Sequence, residues 1–359
     1  TSTILMNILI IAGGTGGHVY PALSIANEFQ EDGNTIYWIG KKNSLEENLA
    51  LSEDFSFYPI NARGFLGKNF FAKLISIFFV FAALIRSFFL ISRIKPDIII
   101  TTGGYLTLAP GLIGSLFCPL FIHEQNSVPG LTNRILHKRS KITFEAFPDT
   151  FNNLTNKVKC VGNPIREDIV NISPINKSNE TKFNILILGG SQGSKQINDI
   201  LINILLTKKV PSHWSFIHQV GKLTSAELKD AYTESGNEFV IKEFLENIAE
   251  AYQFCDIVIS RSGAMTVSEI CSVQKPSILL PLPWSSENHQ YINAQYLKNR
   301  GAAEIIDSDV SNSIRLLELL INLESDHNRL HSMAYSASKV FPKFASKNIY
   351  KSINESLTI

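Results

Sequence analysis

The 359-residue chain carries 33 basic and 32 acidic side chains, a formal net charge of +1, so it has no overall field to draw in nucleic acid. No stretch interleaves aromatic and basic residues as a single-strand groove would, and the length is too great for one ordinary α/β core but suits two. Four scattered cysteines, Cys118, Cys160, Cys255 and Cys271, form no CxxC pair and no Cys/His cluster. They are expected to be buried, reduced thiols of a cytosolic protein. No basic n-region or small-residue cleavage site precedes the first strand, so no secretory signal is expected.

The first half opens with a strand over 7–12 that runs into GGTGGH (13–18). A helix over about 21–30, a strand over 35–39 and a helix near 44–52 follow, then an apolar helix over 70–93. Strands over 97–101, 119–123 and near 141–144, with a helix over about 108–116, complete this half. Such alternation implies parallel strands joined by right-handed crossovers. A polar stretch rich in Asn, Ser and Lys then runs from about residue 164 to Lys182 and is expected to be the interdomain linker.

The second half restarts the same pattern. Strands are expected over 184–188, 214–219, 238–241, 256–259, 277–280 and 302–305. Helices are expected over about 194–206, 224–235, 247–253, 264–272 and 288–299, with two more over 309–323 and 326–350. The last of these is expected to run back across the first domain. The expected domains are 1–162 and 163–340, with 341–359 as a C-terminal helix returning to the first.

The repeat extends to the turns. An apolar strand runs into glycines at NILIIAGGTGGH (7–18) and again at NILILGGSQGS (184–194); PDIII (96–100) runs into TTGG, and CDIVI (255–259) into SRSG. All four turns are expected at the carboxyl ends of buried strands, where open α/β sheets bind ligands. GGTGGH is not a dinucleotide fingerprint, because the second strand ends in Ile39-Gly40-Lys41 with no acid for a ribose. GGSQGSK is not an NTPase phosphate loop, because Lys195 follows Ser194 rather than Gly and precedes Gln196 rather than Ser or Thr. Both remain candidate anion-binding turns, with free amides at the positive end of a helix.

In SRSGAMTVSE (260–269), the amides of Ala264 to Thr266 would open a helix and point at a diphosphate. Glu269, one turn on, could accept hydrogen bonds from two ribose hydroxyls or could simply cap a surface helix. His123-Glu124-Gln125-Asn126 follows a buried strand, where four polar residues are hard to justify by folding alone. Asn288 to Ala294 is a helix start bearing groups suited to sugar hydroxyls. No H-E-x-x-H, D-x-D or Cys/His cluster offers metal ligands, and no G-x-S-x-G elbow supports a hydrolase triad.

One segment departs from the pattern of an ordinary soluble domain. Between Arg63 and Lys95 lie Arg63, Lys68, Lys73, Arg86, Arg93 and Lys95 with no acid, amid Phe, Ile, Leu and Val. The longest uncharged run, Leu74 to Ile85, is far short of the roughly 20 residues needed to span a bilayer. The segment is either a buried crossover helix or an interfacial membrane patch, with Phe78, Phe79, Phe88 and Phe89 as its aromatics.

Taken together, GGTGGHVYPA (13–22), GGY (103–105), HEQNSVPGLTN (123–133), GNPIR (162–166), GGSQGS (189–194), SRSGAMTVSEI (260–270) and HQYINA (289–294) resemble the MurG family. The resemblance runs in order from about residue 7 to 305. It implies the GT-B architecture: two Rossmann-like, doubly wound parallel-sheet α/β domains facing a cleft. It also implies a peripheral glycosyltransferase on the cytoplasmic face of the cell membrane, needing neither metal nor cofactor. Its reaction would move N-acetylglucosamine, with inversion, from UDP-N-acetylglucosamine to the 4-hydroxyl of undecaprenyl-diphosphate-linked muramoyl-pentapeptide. That is the step from lipid I to lipid II in peptidoglycan synthesis. A UDP-sugar epimerase of the same fold and a non-catalytic lipid-binding scaffold are the rival readings.

The resemblance also assigns residues. The donor would be held by Ser191, by the helix start from Ala264, Met265 and Thr266 through Val267 and Ser268, and by Glu269 at the ribose, Leu245 at the uracil and Arg166 beside the nucleotide. Thr15, Gly16, Gly17, Asn126 and Gln290 would reach it from the cleft. The acceptor diphosphate would lie at Gly14 to Gly17 and at Gly103, Gly104 and Tyr105, while Phe78, Phe79 and Arg86 would touch membrane. His18 is the expected base, since imidazoles as a class titrate near neutral pH, and Glu124 is the competing candidate. Where the family continues GGY with Ser-Gly-Pro, this chain has Thr107, Leu108, Ala109 and Pro110, so Ala109 removes some backbone freedom.

Overall fold

The computed structural model describes residues 5–60, 70–151, 157–172, 182–190, 192–223, 225–285 and 288–357, with side chains in the helix at 70–94 described from Phe81 onward. The chain folds into two compact units, residues 1–166 with 342–359 and residues 167–341.

In the first unit the strands are β1 (Asn7–Ile11), β2 (Thr35–Gly40), β3 (Ser56–Pro59), β4 (Ile98–Thr101), β5 (Leu120–Glu124), β6 (Ile142–Glu145) and β7 (Val158–Cys160). They form one parallel sheet in the order β3-β2-β1-β4-β5-β6-β7. Its helices are α1 (Gly16–Glu31), α2 (Leu45–Ser52), α3 (Phe70–Ile94), α4 (Leu108–Gly114) and α5 (Leu131–His137). The aliphatic run of β1 explains its central place. Ile8 and Ile10 enter one core layer with Val19, Ala22 and Phe29, while Leu9 and Ile11 enter another with Ile91, Ile94 and Leu106. A strand buried on both faces needs no polar alternation, which is the signature of a doubly wound sheet.

The second unit repeats the plan. After the short α6 (Glu167–Val170) come β8 (Phe183–Leu188), α7 (Lys195–Leu206), β9 (Trp214–Gln219), α8 (Ala226–Ser235) and β10 (Glu238–Lys242). Then follow α9 (Ile248–Phe254), β11 (Ile257–Ser260), α10 (Ala264–Ser272), β12 (Ser277–Leu279), α11 (His289–Lys298) and β13 (Ala303–Ile305). The parallel order is β10-β9-β8-β11-β12-β13. Helices α12 (Ser313–Ser325) and α13 (His327–Ala337) follow, and α14 (Ala345–Leu357) belongs to the first unit. There Ile349 and Ile353 are fully buried, and Tyr350 packs edge-on against Phe29 at 4.8 Å.

Several expectations change. Helix α1 starts at Gly16 rather than near Pro21, which sits inside it. The helix expected over 326–350 is two helices: Pro342 and the left-handed Phe344 (φ 58°) separate α13 from α14. The boundary between units falls at Arg166, later than the expected 162, and α6 forms within the stretch expected to be linker. Strands β3 and β7 and helix α5 were not anticipated, and Cys160 is exposed on the edge strand β7 rather than buried.

Candidate active site

In each sheet the strand order reverses once, between β1 and β4 and between β8 and β11. The four glycine turns follow these four strands. They therefore stand at the two topological switch points, where adjacent loops diverge and leave room for a ligand.

At the first switch point α1 begins directly after β1. Its N-cap Thr15 makes no side-chain cap, which leaves the first-turn amides to other partners. Gly14 has φ 108° with open space on its Cβ side. Opposite, Gly103 packs on Asn133, and Gly104 packs on the Gly13 carbonyl. Thr107 turns its hydroxyl inward, donating to the Gly104 carbonyl at 2.9 Å, and Ala109 is buried within α4. The departure from Ser-Gly-Pro thus falls on residues that close the turn from behind.

His18, in the first turn of α1, is half-buried and gripped at both ends. Thr102 Oγ1 donates to its carbonyl at 2.8 Å, and its Nδ1 lies 2.9 Å from the Thr102 carbonyl and 3.0 Å from Gln125 Oε1. Behind Gln125 lies the fully buried His123, whose Nε2 is 2.9 Å from the Gly162 carbonyl. Burial pushes the His123 imidazole down to about 4, against the Gly162 carbonyl, which raises it.

Glu124 is also buried, with both oxygens engaged. Oε1 accepts from the Asn126 amide and Nδ2, and Oε2 from the Gly130 amide and Asn133 Nδ2 at 2.9–3.3 Å. The carboxylate thereby shapes the loop that carries Asn126.

At the second switch point Gly263 is the N-cap of α10 and likewise offers no side chain to the first-turn amides of Ala264, Met265 and Thr266. The Val267 amide already donates to the Gly263 carbonyl at 3.0 Å, and its side chain is fully buried, as is that of Ser268. Glu269 Oε2 accepts from the buried Tyr252 hydroxyl at 3.1 Å, so α9 steadies this carboxylate.

Arg261 is buried among neutral oxygens. It donates to the Leu280 and Pro281 carbonyls and to Ser308, Ser194 and Gln196, and burial pushes it down to about 10. One guanidinium thus ties the turn after β8 to those after β11 and β12. Gln290 Oε1 accepts from the Leu282 amide, and the Leu245 amide donates to Gln219 Oε1 at 3.1 Å.

The glycosyltransferase family 28 N-terminal domain matches residues 8–144 and its C-terminal domain residues 184–349. The chain is 37% identical over 338 residues to the Coxiella burnetii (strain RSA 331) UDP-N-acetylglucosamine--N-acetylmuramyl-(pentapeptide) pyrophosphoryl-undecaprenol N-acetylglucosamine transferase, covering 93% of this chain and 94% of that one. It is 38% identical over 345 residues to the transferase of the same name from Vesicomyosocius okutanii, covering 95% and 96%. The crystal structure of Acinetobacter baumannii MurG superposes with a TM-score of 0.82 at 29% identity, covering 98% of this chain and 99% of that one. The chain belongs to the MurG family of glycosyltransferases.

Against the MurG motifs, the first unit brings Gly14, Thr15, Gly16, Gly17, His18, Gly103, Gly104 and Tyr105 to one switch point, and the second brings Ala264 to Glu269 to the other. Ser191 lies outside the described residues. Arg166 ends the first unit and stacks over the Tyr20 ring at 5.2 Å. Among the described residues no group of three or more His, Cys, Asp or Glu side chains could hold a metal ion. Tyr252 and Arg261 gave no sign of a role in the sequence, since their partners lie 17 or more positions away along the chain.

No helix among the described residues is long and apolar enough to cross a membrane. The side chains of Phe78 and Phe79 lie outside the described residues. Beyond them, Phe81, Ile85, Phe88 and Phe89 of α3 are exposed, as are Leu116 and Phe117 just after α4, with Phe88 and Phe117 rings 5.8 Å apart. Arg86 and Arg93 line a groove in this surface with Ala82, Ile85, Phe89 and Leu90. So many exposed aromatics in one place exceed what an ordinary soluble surface carries.

Proposed function

We propose that this chain transfers N-acetylglucosamine from UDP-N-acetylglucosamine to the 4-hydroxyl of a diphosphate-linked muramoyl-pentapeptide, the lipid I to lipid II step of peptidoglycan synthesis. The observation that carries this reading is the doubling of the switch point. Each unit offers two glycine turns to a phosphate-bearing ligand, so one chain can hold two of them, as group transfer between a nucleotide and a diphosphate carrier requires.

In this reading the second unit holds the donor. The Ala264 to Thr266 amides hold the diphosphate, with Val267 and Ser268 next to them in the same helix, and Glu269 holds the ribose. Leu245, its amide already engaged, would meet uracil through its carbonyl. Ser191, Arg166, Thr15, Gly16, Gly17, Asn126 and Gln290 complete the donor set. The acceptor diphosphate belongs at Gly14 to Gly17 and Gly103 to Tyr105.

As the glycosidic bond breaks, positive charge develops on the anomeric carbon and negative charge on the departing diphosphate. Preorganised amide dipoles stabilise the latter, and each such donor is worth roughly 3 kcal/mol in comparable sites. His18 takes the proton of the attacking hydroxyl. Glu124, with both oxygens held by its own loop, serves instead to position Asn126.

The surface of Phe81, Phe88, Phe89, Leu116 and Phe117 with Arg86 and Arg93 would seat the first unit on the cytoplasmic leaflet. Anionic headgroups there attract each cation by about 1 kcal/mol. Incubation with radiolabelled UDP-N-acetylglucosamine and a lipid-linked acceptor tests the reaction. Label in the lipid product supports it; release of epimerised sugar from donor alone, or no turnover with UDP bound, overturns it.

A further inference from the structure

The contacts behind His18 have a direction that the atoms themselves fix. The Thr102 carbonyl can only accept, so His18 Nδ1, 2.9 Å away, must carry the proton and donate. Gln125 lies 3.0 Å from the same nitrogen and must therefore present its oxygen there. Its amide nitrogen then faces the His123 carbonyl at 3.2 Å, a second group that can only accept, which fixes the same orientation independently. That nitrogen also lies 3.0 Å from His123 Nδ1, which must be bare, while His123 Nε2 donates to the Gly162 carbonyl at 2.9 Å. Every donor meets an acceptor along a line from the Gly162 loop past the ends of β5 and β4 to the start of α1. Asn163 Nδ2, donating to the Gln125 carbonyl at 3.1 Å, pins the middle of it.

We propose that Gln125 is a positioning residue for His18: oriented by His123, its amide oxygen joins the Thr102 carbonyl in holding His18 as the Nδ1–H tautomer, leaving Nε2 as the nitrogen that takes the acceptor proton. This rests on the reading of His18 as the base. The hydroxyl proton moves to Nε2, the hydroxyl oxygen bonds the anomeric carbon, and the electron pair of the breaking bond leaves with UDP. The imidazolium so formed is stabilised through Nδ1–H by two oxygens that were in place beforehand. Burial keeps His123 neutral, so no second cation opposes the charge that His18 gains.

Histidine ¹⁵N NMR on the unsubstituted protein reads both tautomers directly, so the test survives a variant that does not fold. The expected result is His18 protonated at Nδ1 and His123 at Nε2, opposite tautomers on rings bridged by one amide. Gln125→Leu is expected to lower kcat about ten- to a hundredfold, the scale of one hydrogen bond to a charged group, with UDP affinity unchanged. In a His18→Ala background the same substitution should cost nothing further, because Gln125 acts only through the ring. His18 protonated at Nε2, or a full additional loss in that background, overturns the proposal. Near-normal turnover of His18→Ala alone removes the base reading beneath it, whatever the tautomers show.

Discussion

Gly104→Ala probes how tightly the turn proposed to hold the acceptor is built. Gly104 sits at φ 94° and ψ 156°, a region open to almost no residue but glycine. Holding alanine there costs of order 1–3 kcal/mol. A Cβ would also stand 2.7 Å from the Gly13 carbonyl oxygen and 3.6 Å from His18 Cδ2. The first contact is with backbone and cannot be relieved by a rotamer change, so overpacking adds about 1–3 kcal/mol more. Gly14→Ala is the matched control, because its φ of 108° carries the conformational strain while its Cβ meets nothing within 4 Å. At about 2–4 °C per kcal/mol for a unit of this size, Gly104→Ala should lower the melting temperature by roughly 10 °C and Gly14→Ala by roughly half that. Calorimetry with a lipid-acceptor assay reads both, and KM for acceptor should rise in each. Equal melting temperatures for the two variants would refute the argument that close approach to Gly13 dictates glycine at 104.

Other outcomes follow from the same geometry. Glu269→Ala should raise donor KM about a hundredfold through two lost hydrogen bonds to a charged group, and Tyr252→Phe about three- to tenfold; unchanged UDP affinity by calorimetry for Glu269→Ala rules out its ribose role. Phe81→Ser with Phe89→Ser should weaken binding to anionic vesicles at least tenfold, given about 1.5–3 kcal/mol per buried aromatic, while turnover of a water-soluble acceptor stays intact. Retained vesicle binding would move the membrane surface elsewhere. Stability should fall in acid because burial depresses His123 to about 4 and His218 to about 3 from an ordinary 6.5. Between those limits the unfolded chain binds the proton and the folded one does not, so each histidine's contribution is complete above about 6.5 and fades as pH falls, by about 1.4 kcal/mol per unit. Denaturant titrations from pH 7 to 4.5 measure that slope, and His218→Gln should flatten it by one histidine's share; an unaltered slope means that His218 is not titrating between the two states.

The strands that could be read from sequence are those whose physics is local. β1, β4, β8 and β11 are unbroken aliphatic runs because both faces of a parallel sheet are buried, and each ends in a glycine turn that marks its carboxyl end. Edge strands lack that imprint: β3 (SFYP) and β7 (VKC) are only partly covered, so their composition is mixed. Helix α5 was hidden because its residues read as a continuation of the polar motif HEQNSVPGLTN. The site residues split the same way. Those proposed to meet ligand through backbone amides announce themselves by glycine, whereas Gln125 and Tyr252 hold side chains 107 and 17 positions distant, and no local pattern encodes such a partner.

The duplication of the fold leaves open which unit holds the nucleotide, and the polar groups behind the turns support the assignment proposed above. Behind the first unit's turns the relay from His123 through Gln125 to His18 is built of imidazoles, an amide and carbonyls and holds no guanidinium. Behind the second unit's turns stands Arg261, a cation surrounded by neutral oxygens that orient it without cancelling its charge. The diphosphate that gains negative charge during transfer is the donor's, since the acceptor's keeps its bonds. A fixed positive charge stabilises the transition state only where charge grows. In the proposed reading the base therefore goes with the attacking hydroxyl in the first unit and the guanidinium with the departing nucleotide in the second. Arg261→Met, which keeps the packing and removes the charge, should accordingly depress kcat more than it raises acceptor KM, and the reverse pattern would put the nucleotide on the other sheet.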